Sequence, residues 1–122
     1  SAPLVTIELL KKGLNLIKNK KNDFAFPVTQ YEYPIQRALE LDNQNIKKMF
    51  NSKFYKSNSN NLKPYYHDCG QFYWGKEKAW IEEKKIFDKK SKIIKVPSYL
   101  GIDIDTKEDL DHVSIIYQHL NG

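Results

Sequence analysis

Asp103 and Asp105 are the residues whose type and spacing most directly suggest chemistry. They stand two positions apart in Gly101-Ile102-Asp103-Ile104-Asp105-Thr106. If that stretch is a strand end, alternation sends Ile102 and Ile104 to one face and both carboxylates to the other. Neighbouring carboxylates suit a hard divalent cation such as Mg2+, with phosphate oxygens completing its shell. The ordinary alternative is that Asp105-Thr106 begins a helix and Asp103 is solvated. His67-Asp68 offers either an acid/base pair or a hydrogen-bonded turn, and adjacent residues rarely face one another, which favours the turn. Gln36 and Arg37 fall in a possible hairpin strand. There Arg37 would suit an acidic ligand, or be an ordinary surface arginine. Cys69, the only cysteine, reads as a small buried residue.

Several chemistries are excluded by what is missing. The five glycines are Gly13, Gly70, Gly75, Gly101 and Gly122, so no Gly-rich loop exists to cradle phosphates. No nucleophile set of the Ser-His-Asp or Cys-His kind is legible. One cysteine and three scattered histidines offer neither a disulfide nor a zinc spacing. The net charge of +5 invites a nucleic-acid reading, yet Arg37 is the only arginine among 20 basic residues. Lysines spread through an Asn-rich chain lack the bidentate groups that read bases and phosphates, so no nucleic-acid partner is expected. No apolar run approaches the roughly 18 residues of a membrane span, and no signal peptide is visible. A cytoplasmic protein is the expectation.

The elements that must position these groups follow in order. The chain of 122 residues, 40% apolar, suffices for one domain with a modest core. Thr6 caps a helix whose Ile7, Leu10, Leu14 and Ile17 recur at helical spacing. Phe24 to Thr29 is a strand, with Pro27 placing it at an edge or marking its end. Ile35 to Leu41 and Ile46 to Phe50 read as a hairpin around Asp42-Asn43-Gln44-Asn45. Such a hairpin is marginal alone, which makes it a candidate dimer contact. Asn51 to Pro64 is a long polar loop. Gly70 to Trp74 is aromatic-rich, bounded by glycines, and reads as a strand entered through the polar turn at His67-Asp68. Lys76 to Lys84 is a short helix expected to bury Ala79, Trp80 and Ile81, and Lys92 to Val96 is a strand ended by Pro97. Thr106 then caps a last helix, with Asp109 three positions on. Its stripe is Leu110, Val113, Ile116, Tyr117 and Leu120. Strands alternating with helices give an α/β class.

Tyr66-His67-Asp68-Cys69-Gly70-Gln71-Phe72-Tyr73-Trp74-Gly75 resembles the YHDAGQFYWG stretch of the acylneuraminate (CMP-sialic acid synthetase) cytidylyltransferase family in its pseudaminic acid form, with Cys69 for Ala. Phe26-Pro27-Val28-Thr29, Tyr33-Pro34-Ile35-Gln36-Arg37-Ala38-Leu39 and Asp103-Ile104-Asp105-Thr106-Lys107-Glu108-Asp109 support it. Ser1-Ala2-Pro3-Leu4 is similar to a loop near the middle of the family's enzymes, so the resemblance is to their C-terminal half. It implies part of a three-layer nucleotide-diphospho-sugar-transferase-like fold with a protruding hairpin at about residues 31–50, and a homodimer. It implies conversion of CTP and a nonulosonic acid into a CMP-sugar and pyrophosphate, with Mg2+ held by Asp103 and Asp105. Gln36, Arg37, His67, Asp68 and Gln71 would lie on the sugar side. Two departures stand out: the family's N-terminal CTP-binding loop has no counterpart, and its Arg-Ser-Gln-Asp-Leu segment appears as Asn58-Ser59-Asn60-Asn61-Leu62. The chain alone is therefore expected to be inactive. The other expectation is a non-catalytic dimerisation or complementation module.

Overall fold

A computed structural model describes residues 3–122. They form a mixed α/β chain in two compact units, one containing the residues up to Thr29 with Asp68–Gly122, the other Gln30–His67.

The first unit is built on strand β1 (Phe24–Gln30), whose residues Phe24 to Thr29 are all buried. Strand β6 (Ser91–Lys95) pairs with it in parallel, from Phe24 opposite Ser91 to Val28 opposite Lys95. Strand β5 (Trp74–Gly75) pairs antiparallel with Phe24 and Ala25. The sheet order runs β4-β1-β5, with β4 at Tyr66–Asp68. Pro27, expected to place the strand at an edge or to mark its end, is instead fully buried in the middle of the central strand. Its carbonyl accepts from Cys69 N–H at 3.2 Å. In a strand a residue's nitrogen faces the same edge as its carbonyl, so the missing donor falls past the end of the short β5 ladder and breaks no bond there.

Helix α1 (Ile7–Ile17) starts where expected, with Thr6 Oγ1 accepting from Leu9 N–H at 3.2 Å. The face it buries is not the expected apolar stripe alone. Ile7 is 72% exposed, whereas Gly13 is buried. A Cβ on Gly13 would lie 2.5 Å from Trp74 Cδ1, so the helix backbone itself lies against the aromatic stretch. Trp74 Nε1 donates to Leu10 O at 2.9 Å across this contact.

Helix α3 (Glu77–Ile81) is shorter than expected and is followed by Glu83 at φ 53°, a left-handed conformation that the helix cannot continue through. Ala79 is buried, and the half-exposed Trp80 sets its ring edge-on to Phe24 at 4.9 Å. Helix α4 (Lys107–Asn121) buries Val113, while Leu110, Tyr117 and Leu120 of the expected stripe stay exposed. No helix among the described residues is long and apolar enough to cross a membrane.

Two expected strands are corrected. Gly101 to Thr106 forms no strand, so alternation does not govern Asp103 and Asp105. Between Gly70 and Trp74 only Trp74 is in a strand, and Gly70 turns the chain at φ 65°. Strand assignment needs a ladder partner, and Gln71, Phe72 and Tyr73 have none among the described residues.

The second unit carries the hairpin of β2 (Leu39–Asp42) and β3 (Asn45–Lys48), in register from Leu39 opposite Lys48 to Asp42 opposite Asn45. Its two-residue turn places Asn43 at φ 55°, a conformation asparagine tolerates. Ile35–Arg37, expected as strand, is a 3-10 turn entered from Pro34. Every residue of both strands is exposed. At the hairpin's base, Tyr55 O–H donates to Ala38 O at 2.5 Å, and its oxygen accepts from Met49 N–H at 3.0 Å. Tyr55 comes from α2 (Lys53–Lys56), a short helix inside the expected long loop.

Candidate functional site

In the first unit, the chemistry gathers where the bend after β4 meets the loop between β6 and α4. Asp68 anchors the bend. Its Oδ1 accepts from Gly70 N–H at 2.9 Å, and its Oδ2 accepts from the Tyr73 hydroxyl. Gly70 adopts φ 65°, and a Cβ there would lie 3.1 Å from Asp103 Oδ2. Glycine is thus needed on both counts, for the turn and for the approach of the carboxylate. Gly101 makes a matching approach from the other loop, where a Cβ would sit 2.8 Å from Cys69 Sγ. Gln71 Nε2 donates to Leu100 O at 2.6 Å and ties the two segments together. Its Oε1 is buried without a partner among the described residues.

Asp105 is held through its backbone. Its N–H donates to Asp109 Oδ2 at 3.1 Å, and Thr106 N–H donates to the same oxygen at 3.0 Å. Thr106 Oγ1 accepts in return from Asp109 N–H at 3.1 Å, completing the capping box of α4. These bonds, first that from Asp105 and then those from Thr106, hold the Asp109 carboxyl below its ordinary range. The helix cap therefore fixes the peptide on which the Asp105 side chain rides.

Burial pushes the Cys69 thiol up to about 11, with the charge of Asp68 adding to it, so Cys69 is a protonated, unreactive thiol at neutral pH. Burial likewise raises Tyr73 to about 12, reinforced by the hydrogen bond to Asp68 and by the charges of Asp68 and Asp103. Tyr73 is accordingly a donor throughout the physiological range. It was not singled out from the sequence. The available signal was an aromatic hydroxyl in a half-buried strand region five residues from a carboxylate, which needs a partner.

The remaining candidates lie in the second unit. Gln36 is buried, and its Nε2 donates to Lys63 O at 2.8 Å. Its Oε1 has no partner among the described residues. Gln36 lines a concavity of about 420 Å3 with Phe50, Phe54, Leu62 and Tyr65. Arg37 Nε donates to Phe54 O at 3.0 Å, a structural bond that ties the 3-10 turn to α2. The His67 ring packs on Tyr31 with centroids 4.8 Å apart. Strand alternation at β4 sends His67 and Asp68 to opposite faces, so they are not a dyad.

For a metal, the donor chemistry is hard carboxylate oxygen from Asp103 and Asp105. No group of three or more His, Cys, Asp or Glu among the described residues could enclose an ion. A cation that keeps its waters and binds through one or two carboxylates plus phosphate oxygens fits that donor set, and Mg2+ is such a cation. The lysines are less diffuse than the sequence suggests. Lys20, Lys21, Lys89, Lys90 and Lys92 surround one concavity with Asn19 and Asn22. No aromatic side chain lines it, so it offers charge without a surface for base stacking.

No protein-family model matches the chain. Among curated proteins, the similarity is to nucleotidyltransferases that use cytidine nucleotides. The chain is 42% identical over 118 residues, 97% of its length, to the pseudaminic acid cytidylyltransferase of Campylobacter jejuni subsp. jejuni serotype O:2, and equally to that of serotype O:23/36. It spans about half the length of these curated relatives, 51% in each case. The resemblance seen in the motifs therefore holds over nearly the whole chain.

Proposed function

We propose that this chain supplies the sugar side and the metal carboxylates of a cytidylyltransferase that makes a CMP-nonulosonic acid, CMP-pseudaminic-acid-like, and pyrophosphate. The observation that carries this reading is the identity over 97% of the chain to curated pseudaminic acid cytidylyltransferases. In the reaction, the sugar's anomeric hydroxyl attacks the α-phosphorus of CTP. The new O–P bond replaces the bond to the β-phosphate, pyrophosphate leaves, and the hydroxyl proton is released. Asp103 and Asp105 are the carboxylates that would hold Mg2+, which when bound neutralises phosphate charge. Asp68 and Tyr73 fix the bend against which Asp103 lies, and Asp109 fixes the peptide of Asp105. Gln36 and Gln71 each keep a buried carbonyl oxygen without a partner among the described residues, an acceptor suited to a sugar hydroxyl. Arg37, His67 and Asp68 complete the sugar side as framework. The fold of the complete enzyme would be of the nucleotide-diphospho-sugar-transferase kind, dimeric through the exposed hairpin within residues 31–50, and cytoplasmic.

The phosphate-cradling loop has no counterpart among these residues, so the chain by itself is inactive in this reading. The test is to mix it with the half of the Campylobacter jejuni relative that it does not match, then assay CMP-sugar formation from CTP and pseudaminic acid with Mg2+. Product from the mixture and from neither half alone is expected. Two folded halves without product would instead favour the second reading, a non-catalytic dimerisation or complementation module, to which the wholly exposed hairpin also points.

A further inference from the structure

We infer that the lysine-ringed concavity of the first unit is a binding site for a compact polyphosphate, three or more linked phosphoryl groups held by charge alone. The inference goes beyond the catalytic reading and does not depend on it.

The ammonium groups converge from two separate segments. Lys20 and Lys21 stand in the turn after α1, Lys89 and Lys90 in the turn before β6, and Lys92 in β6 itself. With Asn19 and Asn22 they surround about 740 Å3, and no carboxylate lines that space. Basic residues just past a helix C-terminus have an ordinary explanation in the helix dipole, which covers Lys20 and Lys21. It does not cover Lys89, Lys90 and Lys92, which belong to another element. All five are exposed, and none forms an ion pair among the described residues. The neighbouring acids are turned to other partners. Asp23 pairs with Lys84 at 3.6 Å, and Asp88 Oδ1 accepts from the Lys89 N–H at 2.7 Å. Uncompensated like charges at close quarters raise a local positive potential that a polyanion relieves.

The backbone beneath the lysines is fixed. Asp23 N–H donates to Lys90 O at 2.8 Å and joins the two segments. The join continues with Phe24 opposite Ser91 and Ala25 opposite Lys92. Asn22 is buried, and its Nδ2 donates to Leu16 O at 2.8 Å. Lys21 N–H donates to Asn19 Oδ1 at 2.9 Å. Only the side chains remain to be ordered by a ligand, which lowers the cost of binding.

The concavity is remote from the carboxylates. Its lysines precede or open the parallel strands β1 and β6, whereas Asp103 and Asp105 follow the C-terminal end of β6. Strand β1 between the two ends spans roughly 20 Å at about 3.3 Å per residue. The ligand chemistry follows from the lining. Lysine holds phosphate as a point charge, without the fork that reads a base edge. No arginine or aromatic side chain lines the space, so binding is blind to any attached base. Its volume is that of a small-molecule site, which favours a compact ligand over a membrane or a duplex.

The experiment is a heteronuclear NMR titration of the chain with sodium tripolyphosphate at low ionic strength, without Mg2+. Saturable shifts are expected at the amides of Lys20 to Asn22 and Lys89 to Lys92, and none at Asp103 or Asp105. CTP and ATP should bind the same lysines within about threefold of each other. Lys21→Ala combined with Lys90→Ala should weaken tripolyphosphate at least tenfold without lowering the urea unfolding midpoint. Lys11→Ala combined with Lys47→Ala removes the same charge elsewhere and should change binding less than twofold. Equal losses from both pairs, shifts spread over all lysines, or no saturation would overturn the inference. So would tighter binding of a DNA duplex or of anionic phospholipid vesicles through these same lysines, which would assign the concavity to an extended acidic partner. No arm forms CMP-sugar, so failure here leaves the catalytic reading standing, and failure of that reading leaves this site standing.

Discussion

Gly70 carries two constraints that a single methyl group would violate. At φ 65° it sits where a Cβ costs roughly 1–2 kcal/mol, and that Cβ would press on Asp103 Oδ2 from 3.1 Å. Gly70→Ala should therefore lower stability by at least about 1 kcal/mol, read from urea unfolding, and displace Asp103. Tyr73 gives a pH signature at the same bend. Its folded value is raised from 10.0 to about 12, so the contribution it makes is fully present below pH 10 and is lost as pH rises towards 12. Stability should fall over that interval, and Tyr73→Phe should flatten the alkaline slope; an unchanged slope would show that neither burial nor the Asp68 bond perturbs the Tyr73 hydroxyl. Cys69 contributes in the same direction, and its buried thiol should resist alkylation at pH 8 in the folded chain. Little of this was legible beforehand. The sequence suggests a turn at His67-Asp68, where the structure has strand β4 with the turn following at Gly70, and it shows neither that Asp68 bonds Tyr73 nor that Gly70 makes room for Asp103, because both depend on loops brought together by the sheet.

At the scale of elements, α1 decides between two opposing effects at Gly13. In an exposed helix interior, Gly→Ala stabilises by about 1 kcal/mol. Here the added methyl would meet Trp74 Cδ1 at 2.5 Å and Phe72 Cε2 at 3.1 Å, inside a contact already fixed by the Trp74–Leu10 bond. Overpacking costs typically 1–3 kcal/mol, so Gly13→Ala should destabilise, measured by thermal or urea unfolding. The hairpin offers the reverse case. Leu41 is 73% and Ile46 63% exposed, and they face each other in register. Replacing both with Lys should change the stability of the isolated chain by less than about 0.5 kcal/mol each, while shifting any dimer seen by sedimentation equilibrium towards monomer. The helices and β1 were legible because caps and periodicity are local signals, as Thr6 and Thr106 show. Pro27 misled because its edge preference assumes a full ladder on both sides, and β5 is too short to supply one. The strand expected over Gly70–Trp74 is absent before Trp74, because the bend at Gly70 and Gln71 turns the chain there. The expected strand at Gly101 to Thr106 failed because the capping box claims the Asp105 and Thr106 donors.

For the whole molecule, the exposed apolar residues fit a chain that spans half the length of its curated relatives. Ile81 is 72%, Phe87 69% and Ile115 67% exposed. The resemblance was legible at this scale through the motif around Gln71 to Gly75 and the Asp103-Ile104-Asp105 run, and the 42% identity extends it along the chain. The central claim is that this chain contributes the carboxylates of a CMP-sugar-forming enzyme. It is tested most directly by reconstituting the chain with the complementary half of the Campylobacter jejuni relative and comparing wild type with Asp103→Asn. The account predicts Mg2+-dependent CMP-sugar formation by the wild-type mixture and at least a hundredfold loss in the variant, with complex formation retained. A folded wild-type complex that makes no CMP-sugar, or an Asp103→Asn complex that makes it at the wild-type rate, would contradict the account.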